Sequence, residues 1–311
     1  MAEFTPDTPG IHIRRLDVII DEVLEDIRQR GQTPELPTGI ERLDAEIWGL
    51  HRAELCIIAA RPGEGKTALS LQIAKHLADL GKKVLFLSFE MTRHQLAERL
   101  LVQFTQFNAW NLRTGVDRDT FFKKVEPLKP TFAKMNLRLV DGCGYSVAEV
   151  QNVLNRFEEA GGQPPDVMMI DFIQLIRLEG GMQRFDAIGE YLRSMKELAM
   201  RHKMAVLLCS QLNRDASKSS PKLANLKGSG AIEELADCVI MCHWEELGTE
   251  EHPKGYKYTL NIEKQRHGSP GARIPVRFKH ETLTFVNVED HMDGWNEDGR
   301  VITKTEAPDI E

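Results

Sequence analysis

The chain has 311 residues and a formal net charge of −7, with 41% hydrophobic and 28% charged residues. This composition is typical of a globular protein that buries a sizeable core without disulfides or bound metals. The negative net charge disfavours a surface that binds nucleic acid over its whole extent, although local basic loops can still line a channel. The acidic N-terminal residues and the lack of an apolar run of about 18 residues predict neither a signal peptide nor a membrane-spanning helix.

Cysteine usage indicates a reducing compartment. Several cysteines lie in or beside apolar runs, where reduced thiols behave as small hydrophobic groups. We therefore expect a cytoplasmic protein. The cysteines are Cys56, Cys143, Cys209, Cys238 and Cys242.

An amphipathic helix is predicted over residues 11–30, because apolar residues recur at three- and four-residue steps and fall on one face. Gly31 and the two prolines of QTPELP end this helix and predict a linker. Residues 1–37 are therefore expected to form an N-terminal arm. Two alternatives stay open: the helix packs on its own domain, or it crosses to a neighbouring subunit.

Short apolar runs alternate with helical patterns along residues 38–290, which we take as one α/β domain. This pattern predicts a mainly parallel central sheet with helices on both faces. Residues 256–263 and 273–279 alternate around the turn HGSPG and predict an antiparallel hairpin at the sheet edge. Residues 291–311 are acidic and predict a flexible tail. The apolar runs are 55–60, 84–89, 137–140, 167–170, 205–209 and 238–242, and the helical patterns include 67–80 and 184–202.

A phosphate-binding loop is the strongest local signal. The sequence ARPGEGKT (60–67) follows a predicted strand and opens a predicted helix. Its glycines let backbone N–H groups face a phosphate, Lys66 supplies a positive charge, and the Thr67 hydroxyl is suited to ligate Mg²⁺. The residues predicted to contact the nucleotide here are Arg61, Pro62, Gly63, Glu64, Gly65, Lys66, Thr67 and Ala68.

Three polar residues follow other predicted strands. In a parallel sheet the carboxyl ends of the strands gather near the phosphate loop, so these side chains should meet there. Asp171 is suited to hold Mg²⁺, Glu90 to orient or deprotonate the attacking water, and Gln211 to sense the γ-phosphate. For each residue taken alone, capping of the following helix is the alternative.

Seven segments together resemble the RecA-like motor domain of DnaB-family replicative helicases, over about residues 12–286. SQLNR, GSGAIEELAD and EKQRHG are the more specific segments, whereas the phosphate loop and Asp171 occur in many RecA-like ATPases. The segments are TGIERLD (38–44), AARPGEGKT (59–67), SFEM (88–91), IDFIQL (170–175), SQLNR (210–214), GSGAIEELAD (228–237) and EKQRHG (263–268).

The resemblance implies a ring, expected to be a hexamer, that uses ATP and Mg²⁺. It makes Glu90 the catalytic glutamate and Gln211 the sensor, and it places Arg99 near the base. Lys264 and Arg266 would reach the next subunit's nucleotide, with Arg266 as an arginine finger. An ordinary surface salt bridge is the alternative for Arg266.

The resemblance also implies contacts with single-stranded DNA through its phosphates and movement from 5′ to 3′. Where this chain has Lys227 and Gly228, family members usually carry arginine and glutamate. The family's N-terminal helical domain, which meets primase, lies outside the resemblance; primase and a helicase loader are the further partners that it suggests. The implied DNA contacts are Arg184, Lys227, Gly228, Ser229 and Gly230.

Two other functions fit parts of the sequence. A RadA- or KaiC-like ATPase for recombination or regulation would share TGIERLD and the phosphate loop, although SQLNR and KQR favour a helicase. A truncated assembly module without unwinding activity is the second alternative. Stimulation of ATP hydrolysis by single-stranded DNA would distinguish a motor from both.

Overall fold

A central sheet dominates the fold. A computed structural model of the chain describes residues 14–29, 31–142, 144–175, 177, 184–212, 222–226, 229–244, 258–288, 294–295 and 301–302. The strands in these ranges are β1 (Leu55–Ala60), β2 (Val84–Ser88), β3 (Leu137–Asp141), β4 (Val167–Asp171), β5 (Ala205–Gln211), β6 (Cys238–Trp244), β7 (Tyr258–Gln265), β8 (Arg273–Lys279), β9 (Thr284–Asn287), β10 (Gly294–Trp295) and β11 (Val301–Ile302).

Nine of these strands form one sheet in the order β3-β2-β4-β5-β1-β6-β7-β8-β9. The strands from β3 to β6 are parallel, whereas β7, β8 and β9 continue the sheet in antiparallel fashion. The mainly parallel sheet and its antiparallel edge are therefore confirmed. The hairpin of β7 and β8 is not itself the edge, because β9 pairs outside it and was not predicted.

Helices cover both faces of the sheet. None of the helices in the described ranges is both long and apolar enough to cross a membrane. The helices are α1 (Leu16–Gln29), α2 (Glu41–Ile47), α3 (Lys66–Asp79), α4 (Arg93–Thr105), α5 (Ala109–Thr114), α6 (Arg118–Val125), α7 (Lys129–Lys134), α8 (Val147–Gly161), α9 (Arg184–His202) and α10 (Ser229–Leu235), with 3₁₀ turns at Glu126–Leu128, Ile173–Leu175 and Leu223–Asn225.

Two hydrophobic layers flank the sheet. One layer joins α2, α3 and α4 to one face and includes Phe86 and Tyr258, while the other joins α8, α9 and α10 to the opposite face and includes Leu192 and Met195. The parallel strands β1, β2 and β4 are buried on both faces, which explains why their sequences are nearly continuous apolar runs. The cysteines Cys56, Cys209, Cys238 and Cys242 are buried free thiols within the parallel strands.

Helix α1 exposes its apolar side chains. Leu16 is 70% exposed and Ile27 is 51% exposed, so the helix does not pack on its own domain within the described residues. It begins at Leu16 rather than at the predicted residue 11; residues 11–13 and 30 lie outside the described ranges. Within residues 291–311, expected to be a flexible tail, β10 and β11 pair as two short antiparallel strands.

Two glutamines attach the edge strand β9 to the helical layer. The Gln72 side-chain amide donates to the Phe285 carbonyl at 2.8 Å and accepts from the Phe285 amide at 2.7 Å. The Gln103 amide nitrogen donates to the carbonyls of Ala68 and Leu283, at 2.9 and 2.8 Å. Gln72 thus provides the hydrogen bonds that a further strand would supply to this edge.

Substitution Gln72→Leu should lower the free energy of unfolding by about 1–3 kcal/mol, because it leaves two backbone groups of Phe285 without a partner. Urea denaturation followed by circular dichroism measures the change. Gln151→Leu is the matched control: its amide contacts Asn155 in a solvent-exposed hydrogen bond, so its effect should stay within about 0.5 kcal/mol. Equal losses in the two variants would contradict the role given to Gln72.

Candidate nucleotide-binding site

The carboxyl ends of the parallel strands meet in one open cleft. The register places Ala60 beside Gln211, Ser88 beside Asp171 and Ile170 beside Leu208, so the four strands end on the same side, with β2 and β4 two residues shorter there than β1 and β5. The cleft has a volume of about 280 Å³. It is lined by Arg61, Pro62, Gly63, Gly65, Lys66, Thr67, Ala68, Glu90, Met91, Arg99, Phe172, Gln211, Phe278, His280 and Leu283.

The phosphate loop connects β1 to α3 and depends on two glycines. Gly63 and Gly65 have φ angles of 81° and 84°, in the left-handed region that favours glycine. A Cβ atom on Gly65 would lie 3.0 Å from the Phe285 ring, which would have to shift, so packing also favours a glycine there. The turn therefore brings backbone N–H groups and the start of α3 to the cleft, as anion binding requires.

Lys66 and Thr67 line the cleft, and both contact Asp171, which lies beneath them and is not part of the cleft wall. The Lys66 ammonium contacts the Asp171 carboxylate, and the Thr67 hydroxyl donates to the other carboxylate oxygen at 2.6 Å. Burial is the largest single effect and would lower the pKa of Lys66, but the charge and hydrogen bond of Asp171 and the nearby Cys209 and Glu90 together outweigh it, so the pKa lies above its usual value. Asp171 is fully buried. A carboxylate that already holds a cation beside a hydroxyl oxygen fits a hard divalent metal.

Glu90 and Arg99 also lie on the cleft wall. Glu90 follows β2 and is exposed, whereas Arg99 projects from α4 and is half-buried. Burial lowers the pKa of the Arg99 guanidinium, while the charges of Asp171 and Glu90 oppose this shift. The two residues therefore present a carboxylate and a guanidinium to the same space.

Gln211 is held in the cleft by a neighbouring glutamine. The Gln174 side-chain oxygen accepts from the backbone N–H of Gln211 at 3.1 Å, and its side-chain nitrogen donates to the Ser210 hydroxyl at 2.8 Å. Gln174 is 5% exposed and follows Asp171 in the 3₁₀ turn after β4. These bonds connect the turn after β4 to the end of β5, beside Asp171 and Gln211.

Glu64 does not line the cleft, although we predicted it as a nucleotide contact. Its carboxylate is buried and accepts from the Arg61 amide at 3.0 Å. Burial raises the pKa of Glu64, and hydrogen bonds from Arg61 oppose the rise. Its carbonyl accepts from the Tyr258 hydroxyl at 2.5 Å. Glu64 thus stabilises the loop from beneath, and Tyr258 on β7 anchors it.

Lys264 and Arg266 lie at the opposite end of the sheet from the cleft. Strand β7 runs antiparallel to β6, so Gln265 pairs with Cys238 at the start of β6. The Lys264 ammonium donates to the Glu233 carbonyl at 2.5 Å. Arg266 is 55% exposed and forms a salt bridge with Asp237 at 2.8 Å. Neither residue contacts the cleft of its own chain.

The residues predicted to contact DNA fall at the starts of two helices. Arg184 is the first residue of α9, and Ser229 and Gly230 are the first two of α10. Both helices begin on the side of the sheet where β4 and β5 end, and they pack together. Lys227 and Gly228 lie outside the described residues.

Several cleft residues were not predicted from the sequence. Met91 and Phe172 directly follow predicted site residues, so their neighbours could have indicated them. Phe278, His280 and Leu283 come from β8 and the turn before β9, and only the sheet order brings them to the cleft. The His280 ring lies 4.5 Å from the Phe278 ring, and burial lowers the pKa of His280 below its usual value.

A phosphate loop after β1, with an acidic residue on β4 and one strand between them, defines a P-loop nucleotide-binding protein with a RecA-like fold. The fold resembles a solved ATPase domain with a TM-score of 0.82 and 26% identity, covering 89% of this chain and 100% of that one. It also resembles a solved DnaB-like replicative helicase, whose structure is described together with its interactions with primase. The TM-score there is 0.77, with 25% identity and coverage of 89% of this chain and 68% of that one.

The family model for the DnaB-like helicase C-terminal domain matches residues 35–287, and the chain belongs to this family. The replicative DNA helicase DnaC of Bacillus subtilis is 30% identical over 286 residues, which cover 89% of this chain and 62% of that protein. The replicative DNA helicase DnaB of Geobacillus stearothermophilus is 30% identical over 269 residues, with coverage of 85% and 59%. The chain thus spans about three fifths of the length of these relatives.

Substitution Tyr258→Phe should lower the free energy of unfolding by about 1 kcal/mol and weaken nucleotide binding, because the Glu64 carbonyl loses its buried donor. Urea denaturation and titration with a fluorescent ATP analogue measure the two effects. Tyr191→Phe is the control: Tyr191 is 3% exposed, and its hydroxyl has no hydrogen-bond partner among the described residues. If nucleotide affinity changes equally in both variants, Tyr258 does not anchor the loop.

Proposed function

We propose that the chain is the ATP-driven motor of a replicative DNA helicase, which assembles into a hexameric ring and unwinds duplex DNA. Residues 38–290 form the motor domain, residues 1–37 an arm that contacts the neighbouring subunit, and residues 291–311 a tail. The observation that carries the proposal is the position of Lys264 and Arg266, at the end of β7 in the β7–β8 hairpin, which we call the basic hairpin. They lie one strand length away from the phosphate loop of their own chain.

One subunit contributes most of the reaction site. Lys66 and the loop amides bind the phosphates of ATP, and Thr67 and Asp171 hold Mg²⁺, which neutralises phosphate charge when bound. Glu90 orients the attacking water and accepts its proton. Gln211 contacts the γ-phosphate and reports its presence through β5. Arg99 lies where the base enters.

The adjoining subunit completes the site. Strand β1 has six residues, and at about 3.3 Å per residue its two ends are roughly 17 Å apart. Arg266 lies at the amino end of β1, in a surface recess with Leu50 and Glu54, so it cannot reach Lys66 of its own chain. A head-to-tail contact between copies brings the amino end of one sheet to the cleft of the next. Arg266 then acts as an arginine finger, and Lys264 lies beside it.

Two apolar surfaces fit a contact between copies. Helix α1 exposes Leu16, Ile20 and Ile27 and has an acidic polar face. The second surface lies on α5, α6 and the turn between them, where Trp110, Val116 and Phe122 are 68%, 55% and 62% exposed. This segment also carries four basic and two acidic residues, which leaves it with a net positive charge: Arg113, Arg118, Lys123 and Lys124, with Asp117 and Asp119. We assign it to α1 of the neighbouring subunit, since both surfaces are apolar and their net charges are opposite.

Single-stranded DNA passes the side of the sheet where α9 and α10 begin. Arg184 and the loop of Lys227, Gly228, Ser229 and Gly230 contact its phosphates, which suits movement over any sequence. Primase and a helicase loader are the protein partners of this function; one similar solved structure is described by its interactions with primase.

The motor function predicts that single-stranded DNA stimulates ATP hydrolysis and that the chain unwinds a forked duplex with a 5′ tail. Lys66→Ala should abolish hydrolysis, whereas Glu90→Gln should bind ATP normally and lower kcat about 100-fold or more. Steady-state ATPase assays at low salt and mass measurement in Mg·ATP test these outcomes. Hydrolysis that ignores DNA would favour a recombination or regulatory ATPase, or an assembly module.

Mixed rings test whether the site is shared. Arg266→Ala and Lys66→Ala subunits should each be inactive alone, with losses of about 10³-fold or more for the arginine finger. Combined, they should regain part of the activity, because an intact phosphate loop meets an intact hairpin at some interfaces. If every mixing ratio stays inactive while mixed rings form, Arg266 does not act on the neighbour.

A further inference from the structure

A buried carboxylate holds Arg266 at the amino end of the sheet. Asp237 directly precedes β6 and is 1% exposed. Its Oδ1 accepts from the Arg266 guanidinium at 2.8 Å, and its carbonyl accepts from the Arg266 amide at 2.8 Å. The same residue therefore fixes both the backbone and the side chain of the proposed arginine finger.

The other carboxylate oxygen of Asp237 is bound from the protein interior. Its Oδ2 accepts from the Leu55 amide at 2.8 Å and from the Lys196 ammonium at 2.5 Å. Lys196 also donates to the Ala53 carbonyl at 2.9 Å. The side chain of Lys196 is 18% exposed, whereas that of Arg266 is 55% exposed. Asp237 is thus anchored on its inner side and holds an arginine on its outer side.

The group formed by Asp237, Lys196 and Arg266 carries a net positive charge. Its single carboxylate is shared by two cations. Among the described residues, the guanidinium is bound through a single nitrogen, Nη1, which leaves its other N–H groups for a phosphate. A restrained guanidinium also loses less rotational freedom when it meets a transition state.

We propose that Asp237 is a positioning residue for hydrolysis in the neighbouring subunit, because it sets the direction of Arg266. The inference rests on the proposed function, in which Arg266 acts across the interface. Asp237 touches no nucleotide of its own chain, since it lies at the amino end of the sheet. Its loss should therefore lower kcat at the next subunit's site and leave nucleotide binding at its own site intact.

Two other roles for Asp237 predict different results. A purely structural role would act through the Leu55 amide on β1, the strand that carries the phosphate loop, and would damage the subunit's own site. A latch that withholds Arg266 from the phosphate would make removal of the carboxylate increase kcat. The choice of partner subunit in a mixed ring separates these roles.

Asp237→Asn is the test variant. Its side-chain oxygen can still accept from Leu55 and Lys196, whereas its amide nitrogen faces the Arg266 guanidinium and cannot accept a hydrogen bond. We expect DNA-stimulated kcat to fall about 10- to 100-fold in uniform rings, with KM for ATP within about twofold. A rise in kcat, or a loss confined to KM, would overturn the proposal.

Mixing experiments then locate the defect. Asp237→Asn subunits keep an intact phosphate loop, so they should regain activity when mixed with Lys66→Ala subunits, which supply a correctly held Arg266. They should not regain activity when mixed with Arg266→Ala subunits, which cannot supply the arginine either. The Arg266→Ala and Lys66→Ala mixture is the reference. If the reference fails, the shared site itself is wrong. If the reference succeeds and Asp237→Asn is not rescued by Lys66→Ala, only the role of Asp237 is wrong.

The control is Asp79→Asn, which removes an exposed salt bridge with Lys75 on α3, at 2.8 Å, and should leave kcat unchanged.

Circular dichroism and thermal unfolding check that Asp237→Asn folds. If Asp237→Asn does not fold, Asp237→Glu is the second test variant. It keeps a negative charge beside Lys196, but its longer side chain displaces Arg266. We expect about a fivefold or greater loss of kcat in that variant, rescued by Lys66→Ala subunits. Full activity of Asp237→Glu in uniform rings would refute the positioning role.

Discussion

Strand direction is the constraint on which the arrangement of this molecule depends. In the parallel part of the sheet every strand ends at the same side, so residues far apart in sequence meet in the cleft. The antiparallel strand β7 runs in the opposite direction, so Lys264 near its end and Arg266 just after it lie at the amino ends of the parallel strands. A single sheet thereby separates two sets of charged residues by the length of its strands.

One buried aspartate lies at each end of the parallel strands: Asp171 at their carboxyl ends and Asp237 at their amino ends. Asp171 and Asp237 are 0% and 1% exposed, and each is paired with a lysine. Removal of either lysine would leave a buried carboxylate without its cation, at a cost of about 3–5 kcal/mol, so each aspartate depends on its lysine. They differ in what surrounds them: Asp171 lies beneath the cleft and accepts a hydrogen bond from Thr67, whereas Asp237 borders a surface recess and has a second cation, Arg266, at its outer edge.

The sequence predicted the sheet well because its strands are buried on both faces. The run 55–60 matches β1 residue for residue, since continuous branched apolar residues suit a central parallel strand. Strand β9 was missed because it has only four residues and lacks an alternating pattern of its own. Helix α1 was predicted to begin earlier than it does, and its exposed face could not be decided from periodicity alone. The cleft was partly predictable because Asp171 and Gln211 end strands and Glu90 follows β2 by two residues. Tyr258, His280 and Asp237 gave no such signal, since each acts through a residue distant in the chain or through the order of the antiparallel strands.

Strand β7 connects the phosphate loop to the opposite end of the sheet. Its first residue, Tyr258, holds the phosphate loop of its own subunit, and its far end leads directly to Arg266. A β-bulge at Glu263 lies between these two ends, where Val239 pairs with Lys264 and Ile240 with Ile262. In the proposed ring, one strand would therefore join the pocket that its subunit fills to the pocket that its arginine serves, and the strand would bend at Glu263 on the way.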